Sequence, residues 1–246
     1  MVRILASVIL MALLPLAGFA QDKEYDKLGA GLEDGKTEKV LNRALAMMDN
    51  DKYRKEAYPS LWASKAYLSI ATGTDEKLKE KYPKALIESL KYANKAINKD
   101  KEGAVMGEEK EFIGQLRTAC LEDLNKTLPV GDMRQAYITM RGLGKVFTTD
   151  PILSFVRAVY DIDAGNAGEV EPVIERTLPE IRDMYAKDLS FKLPEAEDNV
   201  LRTAVLRRFD QLMAAGRKEE ARKMLLNAKL FFPLHKEVEL RQAQLN

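Results

Sequence analysis

The chain has 246 residues, with 39 Lys and Arg against 38 Asp and Glu, one histidine and one cysteine. Because the two signs of charge balance, the composition indicates no general attraction to nucleic acid or to an anionic membrane surface. The single cysteine, Cys120, excludes an intramolecular disulfide and a cysteine cluster for zinc.

Residues 1–20 have the three parts of a secretory signal peptide. Arg3 precedes an apolar run over residues 4–14, and the small residues Gly18 and Ala20 follow at the positions that signal peptidase requires. The apolar run is too short for a permanent membrane-spanning helix, and an uncleaved membrane anchor is the alternative. We therefore expect an exported protein, periplasmic or secreted, with no permanent membrane anchor after cleavage.

Residues 21–36 are polar and carry glycines at positions 29, 31 and 35 without apolar periodicity. This composition predicts a flexible N-terminal segment. We place the start of the folded domain at residue 37, so that the domain covers residues 37–246.

From residue 37 onward, apolar side chains recur at the three- and four-residue spacing of amphipathic helices. No stretch alternates in the way that a half-buried strand does. The pattern predicts one lone helix followed by four helix hairpins. Their apolar stripes cover residues 40–48, 58–70, 86–97, 112–124, 133–143, 152–159, 173–181, 205–212 and 221–228.

Several residues predict where these helices begin and end. Asp132 and Asp150 each offer a side-chain acceptor to the free amides of a helix start, and Pro151 has the backbone angle of a first helical residue. Gly216 predicts a left-handed cap between the last two helices, and Pro233 ends the second of them.

The last hairpin carries small and large side chains in a regular order in its second helix, at Ala221, Leu225, Ala228 and Pro233. This order resembles the second half of a tetratricopeptide repeat, a helix pair of about 34 residues. In the first helix, Arg208 and Phe209 stand where the family has a leucine and a small residue, which indicates a degenerate or terminal repeat. Trp62 and Ala66 resemble the aromatic and small positions of the same repeat in the first hairpin.

The resemblance implies an all-α fold in which antiparallel helix hairpins stack into a tetratricopeptide-like α-solenoid, a right-handed superhelix. Each hairpin would bury one face against the next. A helical bundle of unrelated hairpins is the alternative.

Charge is distributed unevenly along the chain. Residues 101–200 contain 12 basic and 19 acidic side chains, whereas residues 201–246 contain 10 basic and 5 acidic ones. Solvated helix faces explain such a distribution. The other interpretations are that the acidic middle and the basic end steer a charged partner, or that they attract each other in a dimer.

The sequence offers no constellation for catalysis. His235 follows Pro233 without a neighbouring nucleophile, and we expect it at the surface or near helix-terminal carbonyls. Cys120 lies on an apolar stripe and is expected to be buried; an intermolecular disulfide is the alternative. No glycine-rich phosphate loop follows a strand. We predict that the protein is not an enzyme and has no catalytic residue, cofactor or metal.

The function that these observations predict is a non-catalytic protein interaction scaffold that holds a peptide or protein segment on a concave helical surface. Nucleic acid is not an expected partner. The resemblance implies that groove positions lie on the first helix of a hairpin, with Tyr67 and Met213 as anchors. The predicted partner-binding residues are Ala63, Tyr67, Ile70, Thr203, Leu206, Asp210 and Met213. The alternative function is a structural subunit of a cell-envelope assembly without a free groove, and an enzyme is the third class.

Overall fold

The computed structural model describes residues 23–188 and 190–245. The predicted signal peptide, residues 1–20, lies outside the described residues. All regular secondary structure in the described part of the chain is helical. The predicted all-α class is therefore confirmed.

Helix α1 includes residues 23–33. It is followed by α2 (Thr37–Asp49), α3 (Tyr58–Thr72), α4 (Glu76–Lys81), α5 (Ala85–Lys99), α6 (Ala104–Glu108), α7 (Lys110–Thr127), α8 (Met133–Val146), α9 (Pro151–Asp163), α10 (Ala167–Lys187), α11 (Glu195–Ala214), α12 (Lys218–Phe231) and α13 (Lys236–Ala243).

The described part of the chain forms two compact units, which divide between Ile113 and Gly114. In the first unit, α3 packs against α2, α4 and α5. In the second unit, α9 packs against α8, α10 and α11, and α12 packs against α10, α11 and α13. The packed pairs are consecutive helices or, for α3 and α5, α9 and α11, and α10 and α12, helices one apart in the sequence.

Helix α1 corrects the prediction of a flexible segment over residues 21–36. Tyr25 and Leu28 on α1 are buried in one cluster with side chains of α2 and α3. The glycines on which the prediction of flexibility was based allow close packing instead. A Cβ atom on Gly31 would lie 2.7 Å from a methyl carbon of Val40, and one on Gly29 would lie 3.3 Å from the Trp62 ring. Helix α2 is therefore not a lone first helix, because α1 precedes and covers it.

Four helix pairs in the described residues share one turn, which links α1 to α2, α7 to α8, α9 to α10 and α11 to α12. In each turn a glycine has a positive φ, at Gly35, Gly131, Gly165 and Gly216. The glycine N–H donates to the carbonyl three residues earlier, and the next N–H donates to the carbonyl five residues earlier. This is the Schellman arrangement, and the following helix begins two residues after the glycine each time. The predicted left-handed cap at Gly216 is confirmed.

The predicted helix starts at two aspartates are also confirmed. The Asp132 carboxylate accepts the Gln135 backbone N–H at 3.1 Å, and the Asp150 carboxylate accepts the Leu153 N–H at 3.0 Å. Each side chain satisfies an amide that the first helical turn leaves free. The cap at Asp150 fixes the end of the α8–α9 connection, where the candidate site lies.

Candidate binding cleft

One arginine joins three helices of the second unit. Arg117 on α7 donates to both carboxylate oxygens of Glu197 on α11, at 2.5 and 2.6 Å, and to Asp150 at the start of α9, at 2.6 Å. Glu197 is only 4% exposed. Nearby, the Asn125 side chain of α7 donates to the Ala196 carbonyl at 2.8 Å. These contacts fix the first turn of α11 against α7.

The electrostatics of this network favour the charged arginine. Burial alone would lower the pKa of Arg117, but the hydrogen bonds to Glu197 and Asp150 outweigh burial and raise it. With both carboxylates ionised, the three side chains carry a formal charge of −1. Removing the guanidinium would leave the Glu197 carboxylate buried without a cation, which is strongly unfavourable. The network is therefore a rigid polar anchor in the protein.

A cleft with a volume of about 510 Å³ opens beside this anchor. Its walls come from α7, the α8–α9 connection, the end of α10 and the segment before α11. Half of the twelve lining residues are apolar and half-buried, so their side chains are accessible to a ligand. They are Val146, Phe147, Pro151, Met184, Phe191 and Leu193.

Two aromatic rings of the cleft are held in place by neighbours. The Arg117 guanidinium lies 5.9 Å from the centre of the Phe147 ring. Phe191 makes an edge-to-face contact with Tyr185 at 5.1 Å, and Tyr185 packs against Phe231 at 4.8 Å. Burial raises the pKa of the Tyr185 hydroxyl. The ring of Phe191 is thus supported from behind by a buried aromatic pair.

The shape and lining of the cleft suit an apolar side chain or a short apolar segment. A volume of this size falls in the range of ligand pockets, which combine mostly apolar walls with a few fixed polar groups. The Arg117 network supplies fixed polar groups, and the two phenylalanines supply flat apolar surface. We name this site the Arg117 cleft.

Four of the seven predicted partner-binding residues lie in the core. Ala63, Tyr67 and Ile70 are buried in the cluster of the first unit, and Leu206 is buried on α11. Tyr67 stacks on Tyr92 with ring centres 5.6 Å apart, and burial raises its pKa to about 12. The prediction that these four side chains face a groove is corrected, because the helix face assigned to a ligand packs against neighbouring helices.

The other three predicted residues lie on α11 but do not line the Arg117 cleft. Thr203 is exposed, and its hydroxyl donates to the Asn199 carbonyl at 2.8 Å. Asp210 accepts two hydrogen bonds from Arg241, at 3.0 and 2.8 Å. Met213 is half-buried.

Sequence reasoning missed the residues that build the cleft. Phe147 and Phe191 lie between helices, outside the periodic stripes that were used to identify each helix. A large apolar residue in a connecting segment was the available signal. Arg117 and Glu197 are 80 positions apart, and no local pattern indicates that they pair.

The single cysteine and the single histidine lie elsewhere. Cys120 is buried, and burial raises the pKa of its thiol. His235 precedes α13 at the N-cap position and is half-buried. Within residues 23–188 and 190–245, no group of three or more His, Cys, Asp or Glu side chains is arranged to hold a metal ion. In the same part of the chain, no helix combines the length and the apolar character needed to span a membrane.

Comparison with known proteins gives no relative. No protein-family model matches the chain, and no curated protein and no solved structure matches it.

Proposed function

We propose that the protein is a non-catalytic interaction module, built from stacked helix hairpins of the tetratricopeptide kind, that binds an apolar segment of a partner protein in the Arg117 cleft. The observation that carries this proposal is the cleft itself. Accessible apolar walls surround a polar network whose groups are already paired with each other.

The packing of the second unit supports the hairpin part of the proposal. Helix α9 packs against both α10 and α11, and α10 packs against α12, as expected when one hairpin stacks on the next. Gly131 and Gly165 occupy equivalent turns and lie 34 residues apart, the length of a tetratricopeptide repeat. Gly165 and Gly216 are 51 residues apart, because α10 and α11 are longer than α8 and α9 and the connection between them is also longer.

The proposed compartment follows from residues 1–20, whose pattern is typical of an exported protein. The partner would then be a periplasmic, secreted or cell-surface protein. A cleft of the observed volume holds a small ligand-sized group, so a short extended apolar segment fits it better than a large flat surface.

Peptide display against the purified protein tests the proposal. A selected peptide, labelled with a fluorophore, should bind the wild-type protein, and Phe191→Ser should weaken its binding at least about tenfold. Phe191 is half-buried at the cleft wall, so its replacement removes apolar contact area. Val130→Ser, at an exposed position outside the cleft, is the matched control and should leave the affinity unchanged.

Two results would overturn the proposal. One is a selection that yields no specific peptide. The other is a set of peptides that bind the Phe191→Ser protein as tightly as the wild type, because the cleft would then not be the site.

A structural subunit of an envelope assembly is the second candidate function. Large apolar side chains are exposed at several places, including Val130, Leu234 and Leu240. A permanent assembly would bury such side chains. Size-exclusion chromatography with light scattering separates the two functions, because an obligate subunit is oligomeric or aggregates when alone, whereas an interaction module is a stable monomer.

A further inference from the structure

Helix α12 has a second apolar face that the described chain leaves open. Leu226 and Leu230 lie one helical turn apart and are 63% and 40% exposed, and Leu234, just beyond the helix end, is 92% exposed. The opposite face of α12 is buried in the second unit, through Ala221, Met224, Leu225, Ala228 and Phe231. Helix α13 also packs against α12, but these three leucines remain exposed.

Basic side chains border these leucines on both sides of the α12 stripe. The 15 residues from Arg222 to Lys236 contain two further lysines, Lys223 and Lys229, and no Asp or Glu. On the helix, Arg222 and Lys229 lie on one side of the Leu226–Leu230 line and Lys223 lies on the other. Arg222 contacts Glu219 at 3.2 Å, but both side chains are highly exposed, so water screens this pair. We name this surface the α12 leucine face.

We propose that the α12 leucine face binds an acidic amphipathic helix of a partner protein, with leucines or similar side chains along its centre and Asp or Glu at its edges. Side chains four residues apart form a ridge that fits a groove on a second helix. A contiguous apolar surface marks an interaction site, and opposite charges at its edges set the orientation of the partner. The basic residues at the edges of the α12 leucine face therefore favour a partner helix with acidic residues at its own edges.

A second copy of the chain is a poorer occupant of the same face. A two-fold symmetric contact through α12 would bring the same basic edges of both copies, with Arg222, Lys223 and Lys229, into one interface, and like charges across an interface are unfavourable. A lipid surface is also poorer. The other side of α12 is buried in the protein, so only three leucines could enter the lipid, whereas helices that lie in a membrane surface have an extended apolar face.

This surface is distinct from the Arg117 cleft, because none of its residues lines that cleft. The two sites are therefore separable by experiment. Phe191→Ser should leave binding at the α12 leucine face unchanged, and substitutions on α12 should leave binding in the cleft unchanged.

Two synthetic helical peptides of about 18 residues, long enough to form a helix in solution, test the proposal. Both carry a leucine stripe, and they differ only in edge residues, which are Glu in one and Lys in the other. Fluorescence anisotropy should detect binding of the Glu peptide, with the Lys peptide at least about tenfold weaker. The preference should shrink as salt is raised, because the charges are exposed.

Paired variants then assign the binding to this face. Leu226→Ser with Leu230→Ser should weaken binding of the Glu peptide at least about tenfold. Lys223→Glu with Lys229→Glu should reverse the preference, so that the Lys peptide binds better. Leu240→Ser removes an exposed leucine from α13 and is the matched control, with no change expected. Circular dichroism checks that each variant keeps its helix content.

Three results would overturn the proposal. Neither peptide binds, or both bind with the same affinity, or the substitutions on α12 leave the affinity for the Glu peptide unchanged. Vesicles of anionic and of zwitterionic phospholipid serve as the competing probe. Binding to anionic vesicles that is lost in the Leu226→Ser, Leu230→Ser variant, without binding of the Glu peptide, would assign the face to a membrane surface.

Discussion

The Nη2 atom of Arg208 contacts both carboxylate oxygens of Glu171, at 2.5 and 2.6 Å, and so links α11 to α10. Arg208 is only 4% exposed. Glu171 also accepts a hydrogen bond from Arg217 at 2.6 Å, and Arg217 in turn pairs with Glu220. One carboxylate therefore pairs with a buried arginine and with a more exposed one near the turn of the last hairpin.

Removing the acidic partner should cost more stability than removing the buried arginine. Glu171→Gln removes the carboxylate that hydrogen-bonds to the buried Arg208, and we expect a loss of about 2–3 kcal/mol in the free energy of unfolding. Arg208→Leu should cost less than about 1 kcal/mol, because Glu171 keeps Arg217 and the new side chain is apolar. Urea unfolding measures both values. Glu175→Gln, at an exposed position of α10, is the control. Equal losses in the free energy of unfolding for Glu171→Gln and Arg208→Leu would contradict this ordering.

The same carboxylate should make stability depend on pH. Burial acts to raise the pKa of Glu171, but hydrogen bonds from Arg217 and Arg208 outweigh burial, so the folded-state pKa lies below the ordinary glutamate value of 4.5. The stabilisation is therefore present above pH 4.5 and is lost as the pH falls through the lowered pKa. The stability difference between the wild type and Glu171→Gln should shrink as acid is added below pH 4.5. A difference that is constant with pH would mean that ionisation of Glu171 is not involved.

The glycine of the last turn should tolerate alanine less well than a glycine within a helix. Gly216 has a φ of 73°, and no neighbouring atom blocks a Cβ there, so Gly216→Ala is opposed only by the backbone. We expect a loss of about 1 kcal/mol. Gly114 lies inside α7, also with open space around a Cβ, and Gly114→Ala should raise stability by about 0.5–1 kcal/mol. Thermal unfolding of both variants should show shifts in Tm of opposite sign.

The corrected residues should behave as core positions. Tyr67→Asp and Leu206→Asp place a charge among buried apolar side chains, and each should lower the free energy of unfolding by about 3 kcal/mol or more. Thr203→Asp, at an exposed position of α11, should change it by less than about 0.5 kcal/mol. An unchanged Tm for Tyr67→Asp and Leu206→Asp would show that these two side chains are at the surface.

The thiol of Cys120 should be inert while the protein is folded. The side chain is buried, and burial, with a smaller contribution from Asp123, raises the pKa of the thiol, so little thiolate forms at neutral pH. Labelling with iodoacetamide should be negligible in buffer and rapid in urea. A disulfide-linked dimer on a non-reducing gel would contradict this burial and would favour the intermolecular disulfide.

Periodicity identified the nine longer helices of the described chain but not α1, α4, α6 and α13, and it did not identify which helix faces are exposed. The stripe that contains Tyr67 and Ile70 predicts a helix over residues 58–70, and α3 covers Tyr58–Thr72. Its apolar, small and aromatic positions are nevertheless all used in packing, because α3 contacts helices on several sides. A helix with neighbours on several sides has no free groove face, and local spacing carries no information on the number of neighbours.

The candidate cleft depends on pairings between distant positions. Arg117, Asp150 and Glu197 come together only when α7, α9 and α11 pack, and the side chains of Phe147 and Phe191 come from connections rather than helices. The prediction of a flexible segment from the glycines near the N-terminus was wrong for a related reason. Gly29 and Gly31 suggested flexibility, yet their missing side chains make room for Trp62 and Val40. Whether a glycine gives flexibility or close packing depends on its contacts with residues distant in sequence, and local composition does not show these contacts.

The burial of Tyr25 and Leu28 has a practical consequence for protein production. A recombinant chain that starts at residue 37, the boundary that polarity alone suggests, would lack both side chains and the whole of α1. Leu41 and Ala44, now fully buried, share their cluster with these two residues and would lose part of their cover. A shortened protein of this kind would be prone to aggregate through the newly bared surface of α2.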